Sequence, residues 1–190
     1  IVGHRRWAIY LSGWLTDIAA VFMMSAAYLF SYCLFGSILL DAPETPLGQM
    51  FFYVVISLFT AAAYVSLFHM LSMLISRKAT AAVWCLLAFF GLLIIAMVIQ
   101  GKLDAPEFIS QYSMTINGVE QTQPEPNPKY LQPAARRVYQ FFLDLLPSGQ
   151  SIELSAFNVL HPILMMVNSA AISIVTMVLG MFAFQKKNLK

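Results

Sequence analysis

The chain has 190 residues, of which 59% are apolar and only 11% charged, with a formal net charge of +2. A soluble domain carries roughly 45–50% apolar and about 25% charged residues. With a mean hydropathy of +0.73, ionised side chains are too few to coat a water-facing globule, which argues against a soluble enzyme, a disordered chain and a nucleic-acid binder.

The sequence opens at Ile1 on residues that lead straight into an apolar segment, and it reads as the C-terminal part of a longer protein. Trp7, Tyr10 and Trp14 recur at spacings of three and four after His4-Arg5-Arg6, which predicts one helical face at the headgroup level, an interfacial anchor. Uncharged runs then extend over Ile18–Leu40, Thr45–Ser76, Ala79–Gly101 and Leu154–Gln185, of 23, 32, 23 and 32 residues. About 20 helical residues cover a hydrocarbon core roughly 30 Å thick, so each run predicts a transmembrane helix. The first is longer than the roughly 7–15 residues of a signal-peptide core. Cys33 and Cys85 both sit inside these runs and read as small buried hydrophobes, outside any disulfide framework or metal site.

Between the third and fourth runs, Lys102–Glu153 holds six of the nine prolines and is the one long polar stretch, expected to form a small cap. Asn117-Gly118 lies between β-prone residues and predicts a hairpin turn, since both positions tolerate positive φ. Pro124, Pro126 and Pro128 imply an extended connector, and Pro133 starts a helix running to about Leu146. Val138, Phe141, Phe142 and Leu145 share one face of it, opposite Arg136, Gln140 and Asp144. The apolar face is expected to pack over the transmembrane helices, with the membrane surface or an external partner as alternatives. Pro147-Ser148-Gly149-Gln150 reads as its stop. From Ser151 the chain leads past Pro162 into the last helix, with a break that lets it dip into the outer leaflet. The resulting division is 1–101 for three helices with short loops, 102–153 for the cap, and 154–190 for the re-entrant piece, last helix and basic tail. The expected fold class is an all-α membrane protein, a polytopic helical bundle with a small extracellular cap holding a β-hairpin and an amphipathic helix.

Alternating helices put Arg5, Arg6, Arg77, Lys78, Lys186, Lys187 and Lys190 on one side. The other side receives Lys102, Lys129, Arg136 and Arg137 together with eight of the nine acids, a net charge of −4. By the positive-inside rule, both ends of this sequence are expected in the cytoplasm.

No H-E-x-x-H, C-x-x-C, G-x-S-x-G or phosphate-binding P-loop occurs, so neither a catalytic constellation nor a metal site is expected, and no cofactor on this chain. Asp17 is the one carboxylate inside an apolar helical pattern and is a candidate intramembrane polar site, although water, a neighbouring helix or an arginine could satisfy it there. His69 and His161 lack further ligands at a metal spacing and read as core or cavity-lining donors. Ser169, Ser173, Thr176 and Gly180 form a small-residue stripe for close packing, within the bundle or across a dimer. Eleven methionines add pliable apolar surface, which suits either ordinary packing or a cavity for varied hydrophobic cargo.

Gly3-His4-Arg5-Arg6 with Tyr10-Leu11-Ser12-Gly13, ahead of a long apolar helix, resembles the element preceding the third transmembrane helix of ABC-2 type transporter permeases. Leu71 to Ala79 is similar to that family's tight cytoplasmic turn between helices four and five. Asn127-Pro128-Lys129-Tyr130 and Leu146 to Gln150 resemble its external segment before helix six, and Phe184 to Lys190 its basic ending. Gly13 stands where the family often has lysine. The resemblance implies a six-helix permease of the bacterial cytoplasmic membrane that pairs with a second permease subunit, identical or not. Two cytoplasmic ATP-binding subunits would carry ATP and Mg. Gly3, His4, Arg5 and Arg6 would be the coupling contact, with Arg77 and Lys78 a second one, and the cargo an amphipathic peptide, drug or lipid. The rival readings are a non-transporting membrane sensor with a ligand-binding cap, and an intramembrane enzyme using Asp17.

Overall fold

A computed structural model describes residues 5–39, 47–116 and 119–186. Among these the chain order is α1 (Arg6–Leu39), α2 (Leu47–Leu74), α3 (Lys78–Leu103), β1 (Phe108–Ile116), β2 (Val119–Pro126), α4 (Pro133–Leu145), α5 (Pro147–Ser155) and α6 (Pro162–Lys186). Helices α1, α2, α3 and α6 are long and apolar enough to cross a membrane. Even α6, with 25 residues, is about 37 Å long against a core of roughly 30 Å. The chain has the architecture of a helical multi-pass membrane protein.

The bundle is packed inside-out relative to a soluble protein. Thr60, Ser66, His69, Ser169, Ser173 and Thr176 are buried within the spans, while Met23, Phe30, Trp84, Ile94 and Val167 face outward. Lipid tails are as apolar as leucine, so large side chains gain nothing by hiding from them, and helices close instead on small or hydrogen-bonding residues. The most extensive contact is between α2 and α6, with α1 laid against both. Cys33 departs from its expected burial, standing exposed on α1, and Cys85 is half-buried; an outward apolar face of a span accommodates either.

Trp14 Nε1 donates to Ser66 Oγ at 2.8 Å, and Arg6 Nη1 donates to the Gln185 carbonyl at 2.8 Å. The start of α1, the end of α2 and the end of α6 therefore share one end of the bundle, which carries Arg5, Arg6, Arg77, Lys78 and Lys186. At this basic end Arg77 adopts an extended conformation (φ −96°, ψ 119°) and caps α3 after a tight turn.

At the opposite end β1 and β2 pair antiparallel from Phe108↔Pro126 to Ile116↔Val119, with a register shift between Ser110 and Ser113. Asn117 and Gly118 lie outside the described residues. Asn127 closes the base of the pair, donating from Nδ2 to the Pro106 carbonyl (2.8 Å) and from its backbone N–H to the Glu107 carbonyl (2.9 Å).

Helix α4 is turned the opposite way from the sequence expectation. Val138, Phe141 and Phe142 are exposed, whereas Asp144 on the polar face is only 1% exposed and packs inward with Leu143. The polar face finds hydrogen-bond partners inside, and the apolar face continues the outward apolar surface of the spans. Helix α4 does stop before Pro147, at Leu145 with Leu146 extended, but Pro147 also starts a second helix where a turn was expected. It occupies the first turn of α5, where a missing N–H costs nothing. Ser148 Oγ donates to the Leu92 carbonyl at 2.8 Å, about 16 Å from the end of α3 by helical rise, so α5 inserts between α2 and α3. The boundary expected at 153/154 thus falls within α5.

Candidate functional site

Two polar clusters lie inside this apolar bundle. Near the basic end, His69 Nδ1 and Asp17 Oδ2 are 2.6 Å apart. The His69 side chain is 2% exposed and that of Asp17 53%. Tyr10, fully buried, presents its ring edge-on to His69 at 4.7 Å, and neither Tyr10 Oη nor His69 Nε2 has a hydrogen-bond partner among the described residues. Gly13 makes this fit: a Cβ there would stand 3.0 Å from His69 Cε1 and 3.3 Å from Met73 Cε. The close approach of α1 to α2 at His69 accounts for a residue without a side chain at this position.

The second cluster is organised around Gln150. Its Oε1 accepts from Thr60 Oγ1 and Ser169 Oγ, both at 2.6 Å. Its Nε2 donates to the carbonyls of Asp144 (2.8 Å) and Met165 (3.1 Å). A primary amide offers two N–H donors and two lone pairs, so this fully buried side chain is saturated, tying α2, α4, α5 and α6 together. Asp144 accepts from Gln140 Nε2 at 2.9 Å and pairs through Oδ2 with His161 Nδ1 at 2.9 Å. The other N–H of Gln140 reaches Glu153 Oε1. Glu153 is 4% exposed; burial pushes its carboxyl up from 4.5 to about 7, the Gln140 bond and His161 opposing the shift and Asp144 adding to it. A carboxyl poised near neutrality beside a histidine can take up and release a proton. No group of three or more His, Cys, Asp or Glu able to hold a metal occurs among the described residues.

Searches against protein-family models, curated proteins and solved structures return no match in any of the three.

The sequence candidates fall as follows. Gly3 and His4 lie outside the described residues, while Arg5, Arg6, Arg77 and Lys78 are exposed at the basic end. Ser169, Ser173, Thr176 and Gly180 are all buried; Ser169 meets Gln150, and a Cβ at Gly180 would fall on Tyr10 and 3.0 Å from Met70 Cγ. Asp17 is joined to His69, a pairing that spans 52 residues of sequence. The anchor reading of the first aromatics is corrected for Tyr10, which is core, while Trp14 is tied to α2 and Trp7 alone is exposed. The Gln140, Asp144, Gln150, Glu153 cluster was not legible as a site, because Gln140 and Asp144 read as a solvated face. The available signal was Pro147, which with Gln150 and Glu153 behind it can open a second helix carrying polar groups.

Proposed function

We propose that this chain is the transmembrane permease subunit of an ATP-driven ABC-2 type exporter of a bacterial cytoplasmic membrane. Two ATP-binding subunits and a second permease subunit would complete the assembly, with ATP and Mg held on the ATPases. The basic end lies in the cytoplasm, where Gly3 to Arg6, with Arg77 and Lys78, contact the ATPase. The hairpin and α4 form the extracellular cap of the six-span family fold, and the cargo is an amphipathic peptide, drug or lipid. The observation that carries this reading is the gathering of exposed Arg5, Arg6, Arg77 and Lys78 at one end of four apolar spans, a charged platform suited to a soluble motor. It adds to the motif resemblance.

Co-expression with the cognate ATPase is expected to yield a stable complex, and Arg5→Glu with Lys78→Glu to lower transport-coupled ATPase activity. Unchanged assembly and coupling in that double variant would refute the contact. A second reading, a membrane sensor without transport, is favoured by the polar cavity at the α3–α4–α5 junction. Copurification of a partner other than an ATPase would support it.

A further inference from the structure

A groove between α1 and α2 carries an open carboxylate at one end and apolar walls along the rest. The end near the basic side has a volume of about 360 Å³ and is lined by Asp17, Ala20, Val21, Val65, Phe68 and His69. Val21 is shared with a second open cavity of about 430 Å³, lined by Met24, Tyr28, Leu29 and Ser57. Asp17, Val21, Met24 and Tyr28 follow at spacings of four, three and four, so a single stripe of α1 runs the whole length. From Asp17 to Leu29 that is about 18 Å by helical rise. At about 30 Å³ per water-sized atom the two parts hold roughly two dozen non-hydrogen atoms.

The polar groups around Asp17 are already committed. Ser72 Oγ donates to the His69 carbonyl at 2.9 Å, the Cys85 thiol turns to the Phe68 carbonyl at 3.8 Å, and His69 Nδ1 is held on Asp17 Oδ2. Asp17 Oδ1 has no partner among the described residues. With its side chain 53% exposed against 2% for His69, the carboxylate is open to the groove. His69 Nε2 is enclosed without a partner among the described residues. A bare lone pair costs less there than the second N–H of an imidazolium, whose charge would be buried as well. A neutral His69 answers one hydrogen bond of the carboxylate and none of its charge.

His69 stands five residues before the end of α2, about 8 Å by helical rise. A carboxylate at that depth is costly beside apolar tails unless a cation meets it. No Lys or Arg lines either part among the described residues, so a phosphate or carboxylate finds no partner, which argues against a phospholipid headgroup, a fatty acid and a zwitterion. Phe68 adds an aromatic wall, attractive to a cation. We infer that this groove binds a lipophilic cation, an amine with a long apolar tail, its ammonium donating to Asp17 Oδ1 and its tail lying along α1 toward Leu29. The inference goes beyond the exporter reading and does not rest on it, since the site is assayed without an ATPase.

The test is equilibrium binding of radiolabelled decylamine to the full chain in phosphatidylcholine nanodiscs, with the uptake of empty nanodiscs subtracted. Saturable binding is expected, with unlabelled decylamine competing at least about tenfold better than decanol or decanoate, the scale of one charged hydrogen bond. Asp17→Asn keeps an acceptor for His69 and removes the charge, so it is expected to weaken decylamine about tenfold or more and leave decanol unchanged. Ala20→Phe, which fills the groove beside Asp17, is expected to weaken both. No saturable binding above empty nanodiscs, decanol competing as well as decylamine, or undiminished decylamine binding in Asp17→Asn would each overturn the inference. Should Asp17→Asn fail to fold, undiminished binding in Ala20→Phe, which alters an exposed position, would overturn it instead.

Discussion

The corner between α4 and α5 offers the sharpest test of the packing, through Gly149→Ala. A Cβ at Gly149 would stand 2.9 Å from the Leu143 carbonyl carbon and closer still to its oxygen, where ordinary contact begins at 3.4 Å. The obstructing atoms are main chain inside α4, so no rotamer change relieves the overlap and α5 must shift by half an ångström or more. Overpacking of this kind costs about 1–3 kcal/mol. Gln150 is the next residue, and moving it compromises four hydrogen bonds of 2.6 to 3.1 Å; losing two of them adds about 1 kcal/mol each. A total of about 3–5 kcal/mol, at roughly 2–4 °C per kcal/mol for a chain of this size, corresponds to a fall of about 10 °C in melting temperature. The assay is size-exclusion after heating in detergent, with Gly91→Ala as control because nothing lies within 4 Å of a Cβ there. That control is expected to be neutral or to gain about 0.5–1 kcal/mol from helix propensity. If Gly149→Ala melts within about 2 °C of the parent, the insertion of α5 against α4 is wrong.

Asp17→Ala is expected to strand the buried His69 Nδ1 and destabilise by about 1–3 kcal/mol, while Asp17→Asn keeps an acceptor and stays near the parent; equal melting of the two variants would refute the pairing. Gly180→Ala is expected to lose about 1–3 kcal/mol by overlap with Tyr10. Tyr10→Phe, which removes an unpartnered buried hydroxyl, is expected to be neutral or stabilising alone and to restore part of the loss in the double variant. Glu153, raised from 4.5 to about 7, holds a proton in the folded chain that the unfolded chain has released, so its contribution is full below about pH 4.5 and falls as pH rises to about 7. Glu153→Gln is therefore expected to gain on the parent in melting temperature across that window and level off above it; a constant offset between the two at every pH would count against the buried carboxyl.

The four spans were legible in the sequence because an uncharged run long enough to cross a bilayer admits no soluble alternative, and its backbone can be satisfied only as a helix. The small-residue stripe on α6 was legible for a related reason, since a period near 3.6 places Ser169, Ser173, Thr176 and Gly180 on one face whatever packs against it. Which way α4 faces was not legible. Its two faces are distinct in the sequence, but beside a bilayer the apolar one can turn outward, and only the three-dimensional placement of Gln150, Glu153 and His161 gives Asp144 and Gln140 partners inside. The Asp17–His69 pair and the convergence of Gln100, Arg136 and Glu153 on one cavity are also properties of tertiary structure. They join residues from different helices, separated by 17 to 53 positions, and no local periodicity encodes a contact made by the crossing of helices.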